Sequence, residues 1–364
     1  MKICLISIKI APDCERTGFE GIYDYLINKG YDVKLLTGKW NYELADPNII
    51  QYHIPRNRYL WAPEFILRVV KYLNSHHFDI IHGNKPKSCL PILFSNKKRF
   101  ISTIHDLGPF EAYYTVASLQ KILISQIVKK STFITVPSYH TKTGLKKVMP
   151  SISSSKIEVT YNGIDQKFHP YPMEARKLKK KLNIQAPIIL YLGRIAKYKG
   201  VNDIIKAYKI TKKKLTDINL IIAGEPDFEM ENIYETWKQK FKDIYFTGFI
   251  SDNLVPIYYS MADILIAYSS GGEGFGNTPL EALACNTAVI CSELDVYKEI
   301  LDDSAIYVPP KRPDLLSKQI ISLLEKVDLK KKKIQKGQQL LKKYTWQAVG
   351  KRLEKIYNNF YNGN

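Results

Sequence analysis

The stretch GGEGFGNTPLE, residues 271–281, decides how the rest of the chain is interpreted. It follows the apolar run 264–267, which is typical of a buried parallel strand, and its last residues favour the start of a helix. A helix N-terminus leaves backbone N–H groups unpaired and carries about half a positive charge, so it binds anions. Gly272, Gly274 and Gly276 have no Cβ and let the main chain approach an anion closely. The stretch therefore predicts a phosphate-binding loop between a strand and a helix.

Two carboxylates accompany this loop, and phosphate alone does not require them. Glu273 lies among the glycines, and Glu281 follows in the predicted first turn of the helix. A ligand with hydroxyls as well as phosphate would use both. Glu281 also has a structural interpretation, a capping box with Thr278 as N-cap and Pro279 at the first helical position. Glu273 has no comparable local role, which favours a functional one.

A second loop carries positive charge. The segment 191–200 reads YLGRIAKYKG, in which a predicted strand ends at Gly193 and is followed by Arg194 and Lys199. Open α/β sheets bind ligands in such strand-to-helix loops. A cation about 4 Å from a phosphate oxygen contributes about 4 kcal/mol at an effective dielectric constant of about 20. A solvated basic turn is the alternative, and it suits Lys197 better than Arg194.

The spacing of the two glutamates around Gly-Phe-Gly closely resembles the signature of retaining glycosyltransferases of family 4, which have the GT-B fold. The resemblance implies that Glu273 lies against the donor sugar and that Glu281 holds the ribose hydroxyls. It also implies that the loop amides hold the diphosphate; the loop residues concerned are Gly274, Phe275, Gly276, Asn277 and Thr278.

Further segments are similar to elements of the same family. The loop with Arg194 and Lys199 resembles the element that neutralises the departing diphosphate. Gly224 and Phe249 follow two further predicted strands and, by resemblance, lie near the nucleotide base. His105, in Thr-Ile-His-Asp at 103–106, resembles a histidine that faces the donor sugar. The resemblance is strongest from about residue 159 to residue 300.

The loop after the first strand departs from the family pattern. Family members commonly have a Gly-Gly pair there, whereas Gly18 is followed by Phe19. Gly18 is therefore the candidate for close approach to the donor or the acceptor.

The length of the chain and the order of its elements predict two domains. With 364 residues and 45% hydrophobic residues, the chain can build two cores. Strands and helices alternate in both halves, which favours two doubly wound, Rossmann-like parallel α/β domains with a substrate cleft between them. The family resemblance implies that these domains form a GT-B architecture. We expect an N-terminal acceptor-side domain, residues 1–165, joined by a C-terminal helix, 346–364, and a nucleotide-sugar-binding domain, residues 166–345.

The strands predicted from apolar runs are given as ranges. In the first domain they are 3–7, 33–36, 79–82, 100–104 and 133–136, and in the second they are 188–192, 219–223, 244–247, 264–267, 288–290 and 305–308. Helices are predicted at 21–29 and 119–130, and a last amphipathic helix starts at 344–346.

Cysteine content and hydropathy favour a cytoplasmic protein. The five cysteines are odd in number and form no Cys-x-x-Cys pair, so neither a disulfide framework nor a structural zinc site is expected. No apolar run has the 18 or so residues that cross a bilayer. Lys9 interrupts the first apolar stretch, which therefore indicates a strand rather than a signal peptide.

The formal net charge of +19 indicates an anionic partner. Residues 1–165 hold 22 Lys and Arg against 13 Asp and Glu, and residues 166–364 hold 32 against 22. We expect no nucleic-acid partner because zinc-finger and RNA-binding signatures are lacking, and we favour the inner face of a membrane as a peripheral site. Residues 56–71 mix bases with aromatics and suit a bilayer surface, but packing of the apolar side of this helix on the first sheet is the favoured interpretation.

The reaction implied by the resemblance transfers a hexose from a nucleotide-diphosphate sugar to a hydroxyl of a glycan or lipid-linked glycan, with retention of configuration. The catalytic candidates are Glu273, His105, Arg194 and Lys199. The sequence contains no Asp-x-Asp pair that would bridge a metal ion to the diphosphate. No metal and no other cofactor are therefore expected. The alternatives are a GT-B epimerase or phosphorylase, and a basic nucleic-acid- or membrane-binding protein without catalysis. A dinucleotide-dependent oxidoreductase is disfavoured because the Gly-x-Gly-x-x-Gly spacing is not present.

Overall fold

The computed structural model describes residues 1–8, 19–39, 43–53, 61–110 and 118–363. The chain divides into two compact units, which are described separately. Unit 1 comprises Met1–Gly163 and Tyr344–Asn364, and unit 2 comprises Ile164–Lys343.

Unit 1 is built on a seven-stranded sheet. Its strands are β1 (Lys2–Ile6), β2 (Asp32–Lys39), β3 (Ile49–His53), β4 (Ile80–Asn84), β5 (Ile101–Thr103), β6 (Phe133–Val136) and β7 (Ile157–Val159). Its helices are α1 (Phe19–Asn28), α2 (Trp61–Ser75), α3 (Lys85–Phe94), α4 (Ser118–Lys130), α5 (Tyr139–Val148) and α14 (Trp346–Tyr361).

The sheet of unit 1 is parallel and doubly wound. The strand order is β3-β2-β1-β4-β5-β6-β7, so the chain changes direction between β1 and β4. One core contains residues of α1 and α14, among them Leu26 and Tyr357. A second core contains residues of α2, α3 and α4, among them Phe65, Ile92 and Ile127. The helices that connect the strands thus cover both faces of the sheet.

Unit 2 is built on a six-stranded sheet. Its strands are β8 (Ile188–Leu192), β9 (Asn219–Ala223), β10 (Ile244–Gly248), β11 (Ile264–Ala267), β12 (Ala288–Ser292) and β13 (Ile306–Val308). Its helices are α6 (Pro172–Lys181), α7 (Val201–Lys212), α8 (Glu231–Lys240), α9 (Val255–Met261), α10 (Asn277–Ala284), α11 (Asp295–Leu301), α12 (Pro313–Glu325) and α13 (Val327–Leu340).

The sheet of unit 2 is also parallel, in the order β10-β9-β8-β11-β12-β13. Among its central strands, β11 is buried along its whole length and β9 in all but its first residue, as their apolar sequences require. The two sheets confirm the predicted pair of doubly wound α/β folds. The acceptor and donor roles of the two domains stay predictions.

Two strands of unit 1 were not predicted. β3 and β7 are the edge strands of the sheet, and most of their residues are only partly buried. An edge strand has one hydrogen-bonded neighbour and less apolar contact, so its sequence carries a weaker strand signal.

The last helix begins where the sequence indicates. Thr345 is the N-cap of α14, and its hydroxyl accepts a hydrogen bond from the Ala348 N–H at 3.2 Å. The Trp346 ring packs against Gly21 and Gly163 so closely that a Cβ at either glycine would lie within 2.3 Å of it. Two glycines of unit 1 thus make room for one indole.

Helix α2 supports the packing interpretation of the basic and aromatic segment. Phe65, Val69 and Leu73 are buried in the core of unit 1, which supports packing on the sheet as the role of this side of the helix. Residues 56–60 of that segment lie outside the described residues.

Candidate functional site

The centre of the unit 2 sheet lies between β8 and β11. From β8 the chain winds outward to β9 and β10, whereas β11, β12 and β13 extend the sheet on the other side. The loops after β8 and β11 therefore diverge, and a crevice opens between them at the carboxyl ends of the strands. This is where open α/β sheets bind ligands. Lys199 lies in the first of these loops and Glu273 in the second.

Lys199 and Glu273 form an ion pair across this crevice. The Lys199 Nζ lies 2.5 Å from Glu273 Oε1, although the residues are 74 positions apart in the chain. The Ser269 hydroxyl donates a second hydrogen bond to the same oxygen. The Lys199 side chain is 23% exposed and that of Glu273 is 12% exposed, so the pair is largely shielded from water.

Each partner holds the other in its charged form. Burial by itself raises the pKa of the Glu273 carboxyl, but Lys199, Ser269 and Tyr297 outweigh burial, so the pKa is lowered. Burial by itself lowers the pKa of the Lys199 ammonium, but Glu273 outweighs burial, so the pKa is raised. The site therefore holds one full negative and one full positive charge near neutral pH.

Two residues of this cluster were missed by the sequence analysis. Ser269 ends the segment after β11, and Tyr297 lies on α11, where its hydroxyl hydrogen-bonds to Glu273. Burial, together with the Glu273 carboxylate, raises the pKa of the Tyr297 hydroxyl well above its usual range. Ser269 lies two residues before the glycine-rich stretch and could have been suspected, whereas nothing in the sequence near Tyr297 pointed to the site.

Arg194 lies in the same loop as Lys199. Its guanidinium donates a hydrogen bond to the Tyr198 hydroxyl at 2.8 Å, and its backbone carbonyl accepts one from Tyr191 at 2.6 Å. Arg194 is close enough to Lys199 to contribute to lowering the pKa of that ammonium, although Glu273 outweighs this effect. The loop thus presents two neighbouring cations.

The glycine-rich loop has the backbone that the sequence indicates. Gly272 and Gly276 have φ values of 73° and 103°, a region that residues with a Cβ rarely adopt. A Cβ on Gly276 would also lie 2.9 Å from the Tyr297 ring. The Phe275 side chain is buried, whereas Asn277, the first residue of α10, is exposed.

The capping-box interpretation of Glu281 is wrong. Helix α10 begins at Asn277 with Gly276 as its N-cap, so Thr278 is already inside the helix and Glu281 lies beyond its first turn. The buried Glu281 carboxylate instead accepts a hydrogen bond from the Tyr259 hydroxyl at 2.9 Å. The left-handed conformation of Gly276 moves the helix start two residues earlier than the sequence indicated.

Gly224 and Phe249 follow the neighbouring strands β9 and β10. The Gly224 N–H donates to the Gly248 carbonyl at 2.8 Å, which joins the two strand ends. A Cβ on Gly224 would lie 2.0 Å from the Gly193 carbonyl oxygen, so this close approach needs glycine. Phe249 is 55% exposed and presents its ring to solvent.

His105 belongs to unit 1 and follows β5. Its Nε2 lies 2.5 Å from the Asn84 side-chain oxygen, and the residue is partly exposed. Burial of the imidazole and the Lys85 ammonium lower the pKa of His105 to about 3, so the ring is neutral at physiological pH. Gly18, the remaining predicted site residue, lies outside the described residues.

Neither a metal-binding cluster nor a membrane-spanning helix occurs among the described residues. The described part of the chain brings no three His, Cys, Asp or Glu side chains together as a metal site would need. Within those ranges no helix is both long and apolar enough to cross a bilayer.

Comparison with known families identifies the chain. The family described as glycosyl transferases group 1 matches residues 174–340, and glycosyltransferase family 4 matches residues 19–168. The first match lies within unit 2 and the second covers most of unit 1, so that together they span most of the chain. The protein belongs to the group 1 and family 4 glycosyltransferases.

Two individual relatives are similar to this chain in sequence. The chain is 31% identical over 238 residues to the O-antigen chain mannosyltransferase RfbU of Salmonella typhimurium, which covers 63% of this chain and 62% of that protein. It is 25% identical over 325 residues to the phosphatidyl-myo-inositol mannosyltransferase of Mycobacterium tuberculosis, covering 85% and 81%. The chain thus spans less than two thirds of the first relative and about four fifths of the second.

A solved structure has the same fold. The sucrose-phosphate synthase from Thermosynechococcus elongatus superposes with a TM-score of 0.81 at 21% identity, and all of both chains is covered. The two parallel-sheet units therefore form a GT-B-like fold.

Proposed function

We propose that the protein is a retaining glycosyltransferase that moves a hexose, specifically mannose, from a nucleotide-diphosphate sugar to a hydroxyl of a glycan or lipid-linked glycan. The choice of mannose is supported by the two relatives, which are named as mannosyltransferases. The acceptor class is supported by the same names, since one acts on O-antigen chains and the other on a phosphatidylinositol lipid.

The largely shielded Lys199–Glu273 pair is the observation that carries this proposal. It lies at the centre of the unit 2 sheet, between a loop with two cations and a loop with backbone amides at a helix N-terminus. Cations and amides suit a diphosphate, and a shielded carboxylate suits sugar hydroxyls. A nucleotide sugar has both groups next to each other, at the bond that is broken.

The chemistry requires the separation of a diphosphate anion from a sugar that acquires positive charge. Arg194, Lys199 and the amides of 274–276 stabilise the leaving group; removing one such preorganised donor typically costs about 2.7–4 kcal/mol. Lys199 has three N–H donors, so it can contact a phosphate oxygen and still keep its contact with Glu273. Glu273 then orients the sugar and favours positive charge at its ring.

The other predicted residues complete the donor site in this proposal. Glu281 holds the ribose hydroxyls, Gly224 and Phe249 lie by the base, and His105 of unit 1 contacts the donor sugar. Asn277 and Thr278 line the start of α10, and Gly18 contacts donor or acceptor. The positive charge of Arg194 and Lys199 replaces a metal ion, so we propose metal-independent transfer.

The excess of basic residues between α2 and α5 of unit 1 supports a lipid-linked acceptor. Residues 61–148, which include α2 to α5, hold 13 Lys and Arg against 4 Asp and Glu. Leu119 and Ile122 are 76% and 59% exposed on α4, next to Lys121. Exposed apolar side chains among bases suit an anionic membrane surface. We propose a cytoplasmic enzyme that acts peripherally at the inner face of the membrane.

The test is transfer of sugar by the purified protein. The protein is supplied with a panel of nucleotide-diphosphate sugars that carry mannose, glucose or N-acetylglucosamine, together with lipid-linked glycan acceptors. Mass spectrometry and NMR of the product identify the transferred sugar and its anomeric configuration. We expect an α-mannoside from an α-linked donor. Release of an epimerised free sugar nucleotide would instead support an epimerase, and absence of any product would refute the transferase proposal.

Two variants of one loop make the test specific. Lys199→Met removes the cation of the buried pair, whereas Lys197→Met removes an exposed cation two residues away. We expect transfer to fall on the order of 10²- to 10³-fold in the first variant and to change little in the second. Equal activities would show that the pair is not part of the active site.

A further inference from the structure

Asn84 occupies the centre of the unit 1 sheet. It is the last residue of β4, which pairs with β1 at the point where the sheet changes winding direction, and its side chain is fully buried. This position corresponds to the crevice between β8 and β11 in unit 2. A polar side chain buried at such a point must have a hydrogen-bonding role.

Asn84 does not perform the usual local role of an asparagine at its position. It is the N-cap of α3, and asparagine is among the strongest N-cap residues because its side-chain oxygen accepts an N–H of the first turn. The Asn84 side chain makes no such capping bond. The side-chain oxygen of Asn84 bonds to another group, so helix α3 lacks the stabilisation that a side-chain cap would supply.

That oxygen contacts His105. Asn84 Oδ1 lies 2.5 Å from His105 Nε2, and Asn84 Nδ2 donates toward the Ser7 hydroxyl at 3.4 Å. A carbonyl oxygen can only accept, so the proton of the neutral imidazole must be on Nε2. The lone pair of the ring is then on Nδ1.

The neighbouring histidine shows what a structural histidine looks like in this sheet. His82 is buried, and both of its nitrogens have partners: Nδ1 contacts the Tyr357 hydroxyl at 2.8 Å, and Nε2 contacts Thr103 Oγ1 at 2.7 Å. Among the described residues the structure gives His105 Nδ1 no such partner. His82 lies on β4 and His105 follows the neighbouring strand β5, yet of the two rings only that of His105 keeps an acceptor for a ligand.

We propose that Asn84 is a positioning residue that fixes His105 in the Nε2-protonated tautomer and so reserves Nδ1 as an acceptor for a hydroxyl of the donor sugar. The part that concerns the sugar rests on the proposed function. The part that concerns the tautomer rests on the contacts of unit 1 alone. The charged and titratable groups near the ring are Lys85 at the start of α3, Asp106 in the loop after β5, and His82 on β4.

Histidine NMR of the full-length protein, without ligand, tests the tautomer directly. Long-range ¹H–¹⁵N spectra distinguish a protonated nitrogen from an unprotonated one, and we expect His105 in a single Nε2-protonated form. Asn84→Ala should replace this form by a mixture of tautomers. The His82 signals serve as a check of folding, and Asn96→Ala, at an exposed asparagine of the same unit, serves as the matched control.

The isosteric variant Asn84→Asp tests the same contact without a cavity. The carboxylate keeps an acceptor at Nε2 and adds a negative charge, so it should keep the tautomer and raise the pKa of His105 by about 1–3. A wild-type ring protonated on Nδ1, or a single Nε2-protonated form that persists in Asn84→Ala, would overturn the proposal.

Kinetics then separate the positioning role from the proposed function. With the donor identified, Asn84→Ala should lower kcat on the order of 10²-fold, as misplacement of a contacting group can, with a smaller change in KM. Asn84→Asp should recover part of the loss, with a pH profile displaced by the new His105 pKa. If the wild type transfers no sugar while the NMR results hold, the proposed function fails and the assignment of Asn84 stands.

Discussion

Replacement of Lys199 by methionine tests the buried ion pair most directly. Methionine has nearly the same length and no charge, so the change removes the ammonium and leaves the chain stem in place. Glu273 keeps the hydrogen bonds from Ser269 and Tyr297 but loses its counter-ion. The variant should fold, bind diphosphate weakly and be less stable than the wild type.

The size of the stability loss follows from the burial of the pair. Removing one partner of a buried ion pair costs about 3–5 kcal/mol, whereas an exposed pair contributes about 0–1. Because the two side chains retain 23% and 12% exposure, we expect a loss of about 3 kcal/mol, the lower end of the buried range. For a unit of this size, each kcal/mol lowers Tm by about 2–4 °C, so Tm should fall by about 6–12 °C.

The pH dependence of this loss has a definite sign. The pKa of Glu273 is lowered from 4.5, so its contribution is complete above pH 4.5 and disappears as the pH falls through the lowered value. The pKa of Lys199 is raised from 10.5, so its contribution is complete below pH 10.5 and disappears as the pH rises through the raised value. The difference between wild type and variant should therefore be constant between these limits and shrink outside them.

Calorimetry of the wild type, Lys199→Met, Glu273→Gln and the double variant measures this effect. We expect the two single changes to be strongly non-additive, because each one removes the same interaction. Lys197→Met, in the same loop, should change Tm by less than about 1 °C, as exposed substitutions usually do. Additive effects of the two single changes, or a Tm difference that is largest below pH 4, would refute the reasoning.

Three further results are expected. Gly200→Ala should cost about 1–3 kcal/mol in urea unfolding, because φ is 65° and the new Cβ would lie 2.1 Å from the Tyr268 carbonyl oxygen; an unchanged midpoint would contradict this. Tyr259→Phe removes a hydrogen bond to the buried Glu281 and should lower the free energy of unfolding by about 1.5–3 kcal/mol, measured by calorimetry, and weaken nucleotide binding. Unchanged stability and binding would show that this hydrogen bond does not support Glu281. Transfer should persist in excess EDTA, and a loss restored by Mg²⁺ would contradict metal independence.

Much of the fold could be predicted because the central strands have apolar sequences that are easily recognised. β8, β9 and β11 were predicted to the residue, since each is a largely apolar run, followed by a glycine after β8 and β9 and by a tyrosine after β11. The edge strands β3 and β7 could not be recognised, because a partly exposed strand does not need an apolar sequence.

The candidate site was predictable in its parts but not in its connections. The glycine loop and the cations follow strand ends, so sequence order places them at one edge of the sheet. The direct pairing of Lys199 with Glu273 depends on which strands are neighbours in the sheet, and the spacing of residues in the sequence does not reveal that order. The helix start at Gly276 was missed because Thr278 and Pro279 give a stronger capping signal than a glycine does.

The composition of unit 1 from two separate segments has a consequence for synthesis. Leu353, Ile356, Tyr357 and Phe360 of α14 belong to the same core as the first strands and α1. On the ribosome, Ile164–Lys343 emerges complete while this core still lacks its last helix. The half of the protein that is translated first is therefore the half that finishes folding last, and a premature stop before Trp346 would leave its apolar surface open to chaperones and proteases rather than produce a working half-enzyme.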